Sequence, residues 1–268
     1  MVIKEKDTRM LMACVVPMKG TTGMFAAQKV MEFLKEVGLD GMDLIIKTDQ
    51  ESALLAMIAD VREMRTGAKT ITETSPVRSP QSNGFIERGV MTVKEQLKVM
   101  KSALEARWKR KIIDQENVMT WMADYAGMLL NRREVAKDGK TAYEGLKGKR
   151  GFVPGVEFGE KVMWKKPAGS KNVQALDSLW AVGVFVGLKT LSGEFIVATK
   201  NGIHMARTVR RKTEEERWNI KDDGVILGVP WNKGPEDTDA DGVRPKEMDF
   251  ARNTEGAEDN EKVLAQAF

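Results

Sequence analysis

The first 75 residues alternate short apolar runs with amphipathic stretches, and this alternation restricts the chain to few fold classes. Apolar runs suited to strands cover 8–17 and 43–48, and 69–75 alternates threonines with Ile71 as in an edge strand. Between them, 21–37 and 51–66 place apolar side chains at helical spacing. An order of strand, helix, strand, helix and strand predicts an α/β domain.

Three further helices are predicted after a proline-bounded loop. A long helical stretch runs over 81–111, a second over 115–135 and a short one over 141–147. The composition then changes at the run Gly148-Lys149-Arg150-Gly151. We therefore assign the first predicted domain to residues 1–150.

Short strand-type runs separated by turn residues follow that boundary. They cover 161–164, 179–188, 194–199 and 203–209. The dipeptide Asn201-Gly202 between the last two is a strong hairpin pattern. These features predict a small all-β, barrel-like domain over 151–218.

The last segment, 219–268, is rich in Asp, Gly and Pro and poor in aromatic residues. Such a composition predicts a disordered acidic tail or linker, because too little apolar surface is available to offset the entropy of ordering it. Its final stretch, 258–268, is expected to form a frayed helix.

The net charge of +4 conceals an uneven distribution. Residues 1–150 carry 26 basic and 20 acidic side chains, 151–212 carry ten and four, and 213–268 carry seven and fifteen. A basic body followed by an acidic tail predicts a polyanionic partner, most often nucleic acid. An ordinary solvated surface is the alternative interpretation.

The scarcity of cysteine and histidine excludes several classes of protein. With Cys14 and His204 alone, the chain cannot contain a disulfide framework or an internal Cys/His zinc site. Cys14 is expected to be a small buried apolar residue, and His204 a strand residue. No apolar run approaches the ~18 residues of a membrane span. The sequence therefore predicts a soluble, intracellular protein with no membrane partner.

Two acidic residues stand out by their positions. Asp49 directly follows the predicted strand 43–48, and the carboxyl ends of strands are where α/β folds bind ligands. Glu87 lies near the start of the long helix. Carboxylates from a strand end and an adjacent helix are suited to Mg²⁺, which prefers oxygen ligands. The alternative is that both are ordinary surface acids.

The sequence around these acids resembles the catalytic core of retroviral and retrotransposon integrases. Thr48-Asp49 is followed, 38 positions after the aspartate, by Glu87 within the run Ser79-Pro80-Gln81-Ser82-Asn83-Gly84-Phe85-Ile86-Glu87-Arg88. The run 140–144 (KTAYE) is similar to the segment that follows the core in copia-type elements. The region 160–218 is similar to their small β domain.

The resemblance implies a ribonuclease-H-like fold whose two aspartates and one glutamate bind Mg²⁺ or Mn²⁺. Asp49 and Glu87 match two of these ligands, and the family's mechanism is phosphoryl transfer with two metal ions. The strand carrying the family's first aspartate would precede Met1. Asp7 is the nearest acid, but it aligns with a turn and is a poor substitute. We therefore expect an integrase core that lacks its first strand and is inactive in this form.

Candidate DNA-binding residues follow from helical spacing. Lys94, Lys98 and Lys101 fall on the face of Glu87, where they can neutralise phosphates. Gln81, Ser82 and Asn83 lie where the exposed N–H groups of a helix start can hold a phosphate. The alternatives are a solvated helix face and simple helix capping.

A second basic set lies at the end of the barrel region. It consists of Arg207, Arg210, Arg211 and Lys212. Phosphate contact is one interpretation, and a charged edge strand that discourages aggregation is the other.

Three hypotheses remain. The chain is a retrotransposon integrase domain for DNA integration, a non-catalytic nucleic-acid-binding remnant of a transposable element, or an unrelated α/β protein with an accidental motif match. For an intact integrase we expect DNA as partner, a homo-oligomer and a nuclear location. Whether the chain itself is an enzyme stays open.

Overall fold

The computed structural model describes residues 1–17, 24–74, 80–167, 178–220 and 226–234, apart from the side chains of residues 80–82. Within these ranges the chain forms nine strands and six helices, which confirms a mixed α/β protein. None of the described helices combines the length and apolarity needed to cross a membrane.

The strands and helices of the first third follow the predicted order, with one addition. Strand β1 (Val2–Lys4) pairs antiparallel with β2 (Leu11–Ala13). Helix α1 (Phe25–Val37), β3 (Leu44–Thr48), α2 (Ser52–Met64) and β4 (Thr70–Thr74) follow. The prediction of one strand over 8–17 was too long, and it missed β1, whose charged neighbours hide its short apolar run.

The strands of this region form two separate two-stranded sheets among the described residues. Strand β3 pairs parallel with β4, while β1 pairs with β2. Parallel strands are usually covered on both faces. Here Ile45 and Ile71 are cross-strand neighbours with 62% and 45% of their surfaces exposed. The β3–β4 sheet is therefore open on one face within the described chain.

Three helices follow in the predicted order: α3 (Pro80–Trp108), α4 (Asn117–Arg133) and α5 (Ala142–Lys147). Helix α3 ends before Lys109, whose φ of 52° is left-handed. Helix α5 begins with a capping box, in which the Thr141 hydroxyl accepts from the Glu144 N–H and the Glu144 carboxylate accepts from the Thr141 N–H.

Five strands form the second region, and their order requires a curled sheet. They are β5 (Lys161–Lys165), β6 (Trp180–Leu188), β7 (Phe195–Thr199), β8 (Gly202–Ala206) and β9 (Val209–Arg211), in the order β8-β7-β6-β5-β9. A flat sheet would separate its edge strands by about 19 Å. Only two residues join β8 to β9, a span of at most about 11 Å. The two edge strands must therefore approach each other, as in a small barrel. The single strand predicted over 203–209 is divided between β8 and β9 in the structure.

Helix α4 joins the two regions through one shared core. On one side it packs against β2, where a Cβ added to Gly127 would lie 2.9 Å from the backbone nitrogen of Ala13. On the other side it packs against β6, and Val184 and Val186 share a buried cluster with Trp121 and Met122. The composition change near residue 150 thus does not separate the two hydrophobic interiors.

The outer edge of β2 is occupied by a side chain of α4. The Asn131 amide oxygen accepts from the Leu11 N–H at 2.8 Å, and its Nδ2 donates to the Leu11 carbonyl at 2.7 Å. Asn131 is buried, so both backbone groups of Leu11 are satisfied away from water.

Part of the predicted tail is ordered against the body. After α6 (Glu214–Arg217), the stretch 226–234, which we call the strap, crosses α4 and β8. Trp121 Nε1 donates to the Gly228 carbonyl at 2.9 Å, and the Ile203 N–H donates to the Lys233 carbonyl at 2.8 Å. A disordered tail starting at 219 is therefore wrong for 226–234. The remainder, 235–268, and its expected frayed helix lie outside the described residues.

Candidate metal and nucleic-acid site

The start of α3 lies against the carboxyl end of β3. Asp49 follows β3 directly and is exposed, and its Oδ1 accepts a hydrogen bond from Asn83 Nδ2. Glu87 lies one helical turn after Asn83 and is also exposed. This contact brings the Thr48-Asp49 motif and the motif at the start of α3 to the same place.

Close packing of α3 on the β1–β2 sheet fixes which way the helix faces. A Cβ added to Gly89 would lie 3.3 Å from Cδ of Lys4 and 3.4 Å from Cδ1 of Leu11, so the glycine allows a near approach. The Lys4 ammonium lies 4.8 Å from the centre of the Phe85 ring. With Phe85 and Gly89 turned to the sheet, Glu87 is directed to solvent.

The described residues do not assemble the three acidic ligands that the resemblance implies. Among the described residues, no group of three or more His, Cys, Asp or Glu side chains is arranged to hold a metal ion. Asp7 lies in the turn between β1 and β2, where its N–H donates to the Glu5 carboxylate. Asp49 and Glu87 each carry an oxygen ligand of the kind that Mg²⁺ accepts when phosphates or water complete its coordination.

The three lysines predicted to share a face differ in their surroundings. Lys94 and Lys98 are exposed, and neither forms an ion pair within the described part of the chain. Lys101 forms an ion pair with Asp114 from the turn after α3 and is only partly exposed. Lys94 and Lys98 are therefore available to an external anion, as is Arg88 of the same helix, which is also exposed.

Of the three residues predicted to hold a phosphate at the start of α3, the structure describes the side chain of Asn83 alone. The side chains of Gln81 and Ser82 lie outside the described residues. The amide of Asn83 donates to Asp49, so Asn83 joins α3 to β3.

The second basic set does not form one surface. Arg211 donates two hydrogen bonds of 2.7 Å to Glu160, which is fully buried, and Arg217 lies 3.2 Å from the same carboxylate. The hydrogen bonds to Glu160 raise the pKa of Arg211. Arg211 thus holds β9 to the start of β5.

The other members of that set each have a different neighbour. Arg210 lies over the Trp180 ring at 4.3 Å, Lys212 pairs with Glu216 at 3.3 Å, and Arg207 lies 3.7 Å from Glu194. Sequence reasoning missed Glu160 and Arg217, because the pairing joins positions about 50 residues apart and has no local pattern.

Neither Cys14 nor His204 belongs to the site. Cys14 is 1% exposed, as expected, and burial raises the pKa of its thiol to about 12. His204 lies in β8 as expected, with its ring stacked 4.6 Å from that of Trp164.

Comparisons with known proteins do not identify a family for this chain. No family model matches the chain, and no curated protein matches it. One solved structure with a weak likeness is the cryo-electron-microscopy structure of a simian T-cell lymphotropic virus intasome in complex with the PP2A regulatory subunit B56 gamma. It is 14% identical, with a TM-score of 0.40, over 79% of this chain and 71% of that one. No sequence match supports the copia-type resemblance.

Proposed function

We propose that this chain is a retrotransposon integrase-type domain that binds DNA and carries two of the three carboxylates needed for polynucleotidyl transfer. The observation that supports it best is the hydrogen bond from Asn83 to Asp49, which joins the two motifs of the resemblance. In this proposal Asp49 and Glu87 would hold Mg²⁺ or Mn²⁺. The ion would stabilise the negative charge that develops in phosphoryl transfer. Lys94 and Lys98 hold DNA phosphates beside it.

The divided sheet is consistent with a missing ribonuclease-H-like strand. Strands β1 and β3 each have one partner among the described residues, β2 and β4 respectively. A strand inserted between β1 and β3 would join the two pairs into one five-stranded sheet. We place the third carboxylate on that strand, and we assign the complete protein to a nuclear homo-oligomer.

A non-catalytic nucleic-acid-binding role is the second candidate. It is favoured by the finding that no group of three or more His, Cys, Asp or Glu side chains among the described residues is arranged to hold a metal ion. The two candidates share DNA binding and differ in chemistry.

Glu87→Gln tests the catalytic candidate in a chain extended at its N-terminus by a core strand bearing an aspartate. We expect strand transfer to fall about 10³-fold or more, because a metal ligand is lost. Unfolding should not change, since Glu87 is exposed. Strand transfer by purified protein on oligonucleotides gives the measurement, and Glu95→Gln, at another exposed position of α3, is the matched control.

Either of two outcomes would decide against this role. Activity retained by Glu87→Gln removes Glu87 from the mechanism. An extended chain that binds DNA but never transfers strands supports the non-catalytic remnant.

Replacing Lys94 and Lys98 together by Ala tests the DNA surface in the chain as it stands. Two lost phosphate contacts should weaken duplex binding about tenfold at low salt and reduce the salt slope by about 2. Fluorescence anisotropy over a salt series measures both quantities. Lys189→Ala with Lys200→Ala removes two exposed lysines of the barrel and is the control. Equal losses in the two double variants would mean that α3 has no particular role.

A further inference from the structure

The β3–β4 sheet has one face packed on helices and one face in solvent. Successive side chains of a strand point to opposite faces. Leu44 and Ile46 pack against the buried cluster formed by α1 and α2. The opposite face, which we call the outer face, carries four exposed side chains: Ile45 and Lys47 of β3, and their cross-strand neighbours Ile71 and Glu73 of β4.

The centre of the outer face is apolar. Ile45 is 62% exposed and its cross-strand neighbour Ile71 is 45% exposed. A single isoleucine on a surface needs no explanation. Two adjacent isoleucines on a parallel strand pair are different, because such pairs are usually covered on both faces. The outer face is therefore suited to a partner surface that also has an apolar centre.

Opposite charges lie side by side at both ends of this apolar centre. At one end, Lys47 Nζ lies 3.4 Å from the Glu73 carboxylate. At the other end, exposed Asp43 and Lys69 lie one position before each strand, and the Asp43 carboxylate accepts the Lys69 N–H at 2.7 Å. With as many anions as cations, the outer face does not select a polyanion such as DNA.

A second copy of the outer face is complementary to the first. A two-fold axis parallel to the strands, midway between two sheets packed face to face, places β3 over the partner's β4. Ile45 then lies over the partner's Ile71, and Lys47 lies over the partner's Glu73. Asp43 likewise lies over the partner's Lys69. Every cation faces an anion, and the symmetry provides each contact twice.

From this self-complementarity we infer that two copies of the chain form a two-fold symmetric dimer through the outer faces of their β3–β4 sheets. Two strands of five residues cover only about 17 Å by 10 Å. A stable interface covers about 800 Å² per partner, so this dimer is weak and half-formed at about 10–100 µM. The inference gives a surface to the homo-oligomer of the proposed function, and it rests on that function only for the expectation that copies meet.

Sedimentation equilibrium of the full chain without DNA, from about 1 µM to about 1 mM, tests the dimer. Replacing Ile45 and Ile71 by Ser leaves every charge in place and should raise the dimer Kd at least about tenfold, because the apolar centre is lost. The matched control replaces Ile113 and Val135 by Ser. Both control residues are 62% exposed and lie outside this sheet, so the Kd should not change.

Charge reversal tests the arrangement of the two copies. Lys47→Glu alone and Glu73→Lys alone should each raise the Kd at least about tenfold, because two like-charge pairs form in each dimer. An equimolar mixture of the two variants should dimerise again, since the new carboxylate of one meets the new ammonium group of the other. The double variant Lys47→Glu, Glu73→Lys should dimerise like the unchanged chain, and it keeps the ion pair within the sheet.

Three results would overturn the dimer. The first is a monomer at every concentration. The second is a dimer that persists unchanged in the Ile45→Ser, Ile71→Ser variant, which would place the contact elsewhere on the surface. The third is failure of both the mixture and the double variant to dimerise.

The dimer and the proposed function can fail separately. If the dimer forms and responds to these changes but the chain binds no DNA, the proposed function fails and the dimer stands. If DNA binds through Lys94 and Lys98 while the chain stays monomeric, the dimer fails and the proposed function stands.

Discussion

Replacing Arg211 by Met is expected to lower the free energy of unfolding by about 3 kcal/mol. The change leaves the fully buried Glu160 carboxylate without its two hydrogen bonds of 2.7 Å. Removing one partner of a buried ion pair typically costs ~3–5 kcal/mol, because the remaining charge is desolvated and unpaired. Arg217, 3.2 Å from the same carboxylate, keeps the expected loss at the lower end.

Denaturant unfolding followed by tryptophan fluorescence measures this loss. Arg207→Met is the matched control, since Arg207 is 91% exposed and lies 3.7 Å from Glu194. An exposed pair of this kind contributes about 0–1 kcal/mol. Equal stability of the two variants would show that Arg211 is not a structural residue, and phosphate contact would again be its best explanation.

Gly127→Ala is expected to destabilise the chain by about 1 kcal/mol net, although alanine is the better helix former. The added Cβ would lie 2.9 Å from the Ala13 backbone nitrogen, so α4 and β2 must move apart. Overpacking of this kind costs ~1–3 kcal/mol, and the strained contact here is with backbone. The gain in helix propensity offsets about 1 kcal/mol of it.

Gly145→Ala in α5 provides the control for Gly127→Ala. Nothing lies within 4 Å of a Cβ added at Gly145, so the propensity gain should appear alone as a stabilisation of about 0.5–1 kcal/mol. Thermal unfolding measures both variants. Stabilisation by Gly127→Ala as well would mean that α4 does not pack closely on β2.

Local patterns predicted most of the secondary structure. The periodicity of 51–66 and 115–135 indicated helices that the structure gives as Ser52–Met64 and Asn117–Arg133. The Asn201-Gly202 pair indicated the β7–β8 turn. Strand β1 was missed, since three residues are too few for an alternation to be visible.

Long-range contacts could not be predicted in the same way. Composition shifts near residue 150, yet Trp121 and Val184 share one buried cluster, because packing depends on shape and not on sequence position. Ile226 is buried within a segment whose composition indicates disorder. Arg210 and Arg211 are adjacent in a basic run, but successive strand residues point to opposite faces. Arg211 therefore pairs with buried Glu160, and Arg210 lies over the Trp180 ring.

For the candidate site, sequence reasoning placed Asp49 at a strand end and Glu87 near a helix start, and the structure places both there. Their roles as metal ligands stay predictions. The pairing of Lys101 with Asp114 could not be foreseen, because it depends on how the turn after α3 folds back.

Asn131 has a consequence for how this sheet can meet other chains. An exposed strand edge is a template for pairing, and unprotected edges promote aggregation. The Asn131 amide hydrogen-bonds both backbone groups of Leu11, so it occupies the bonding positions that a neighbouring strand would use along β2. The β1–β2 pair is thereby closed to growth at Leu11 on the β2 side, so a further strand that extends this pair must add beside β1. The direction in which the sheet can be extended is thus set by one side chain of α4.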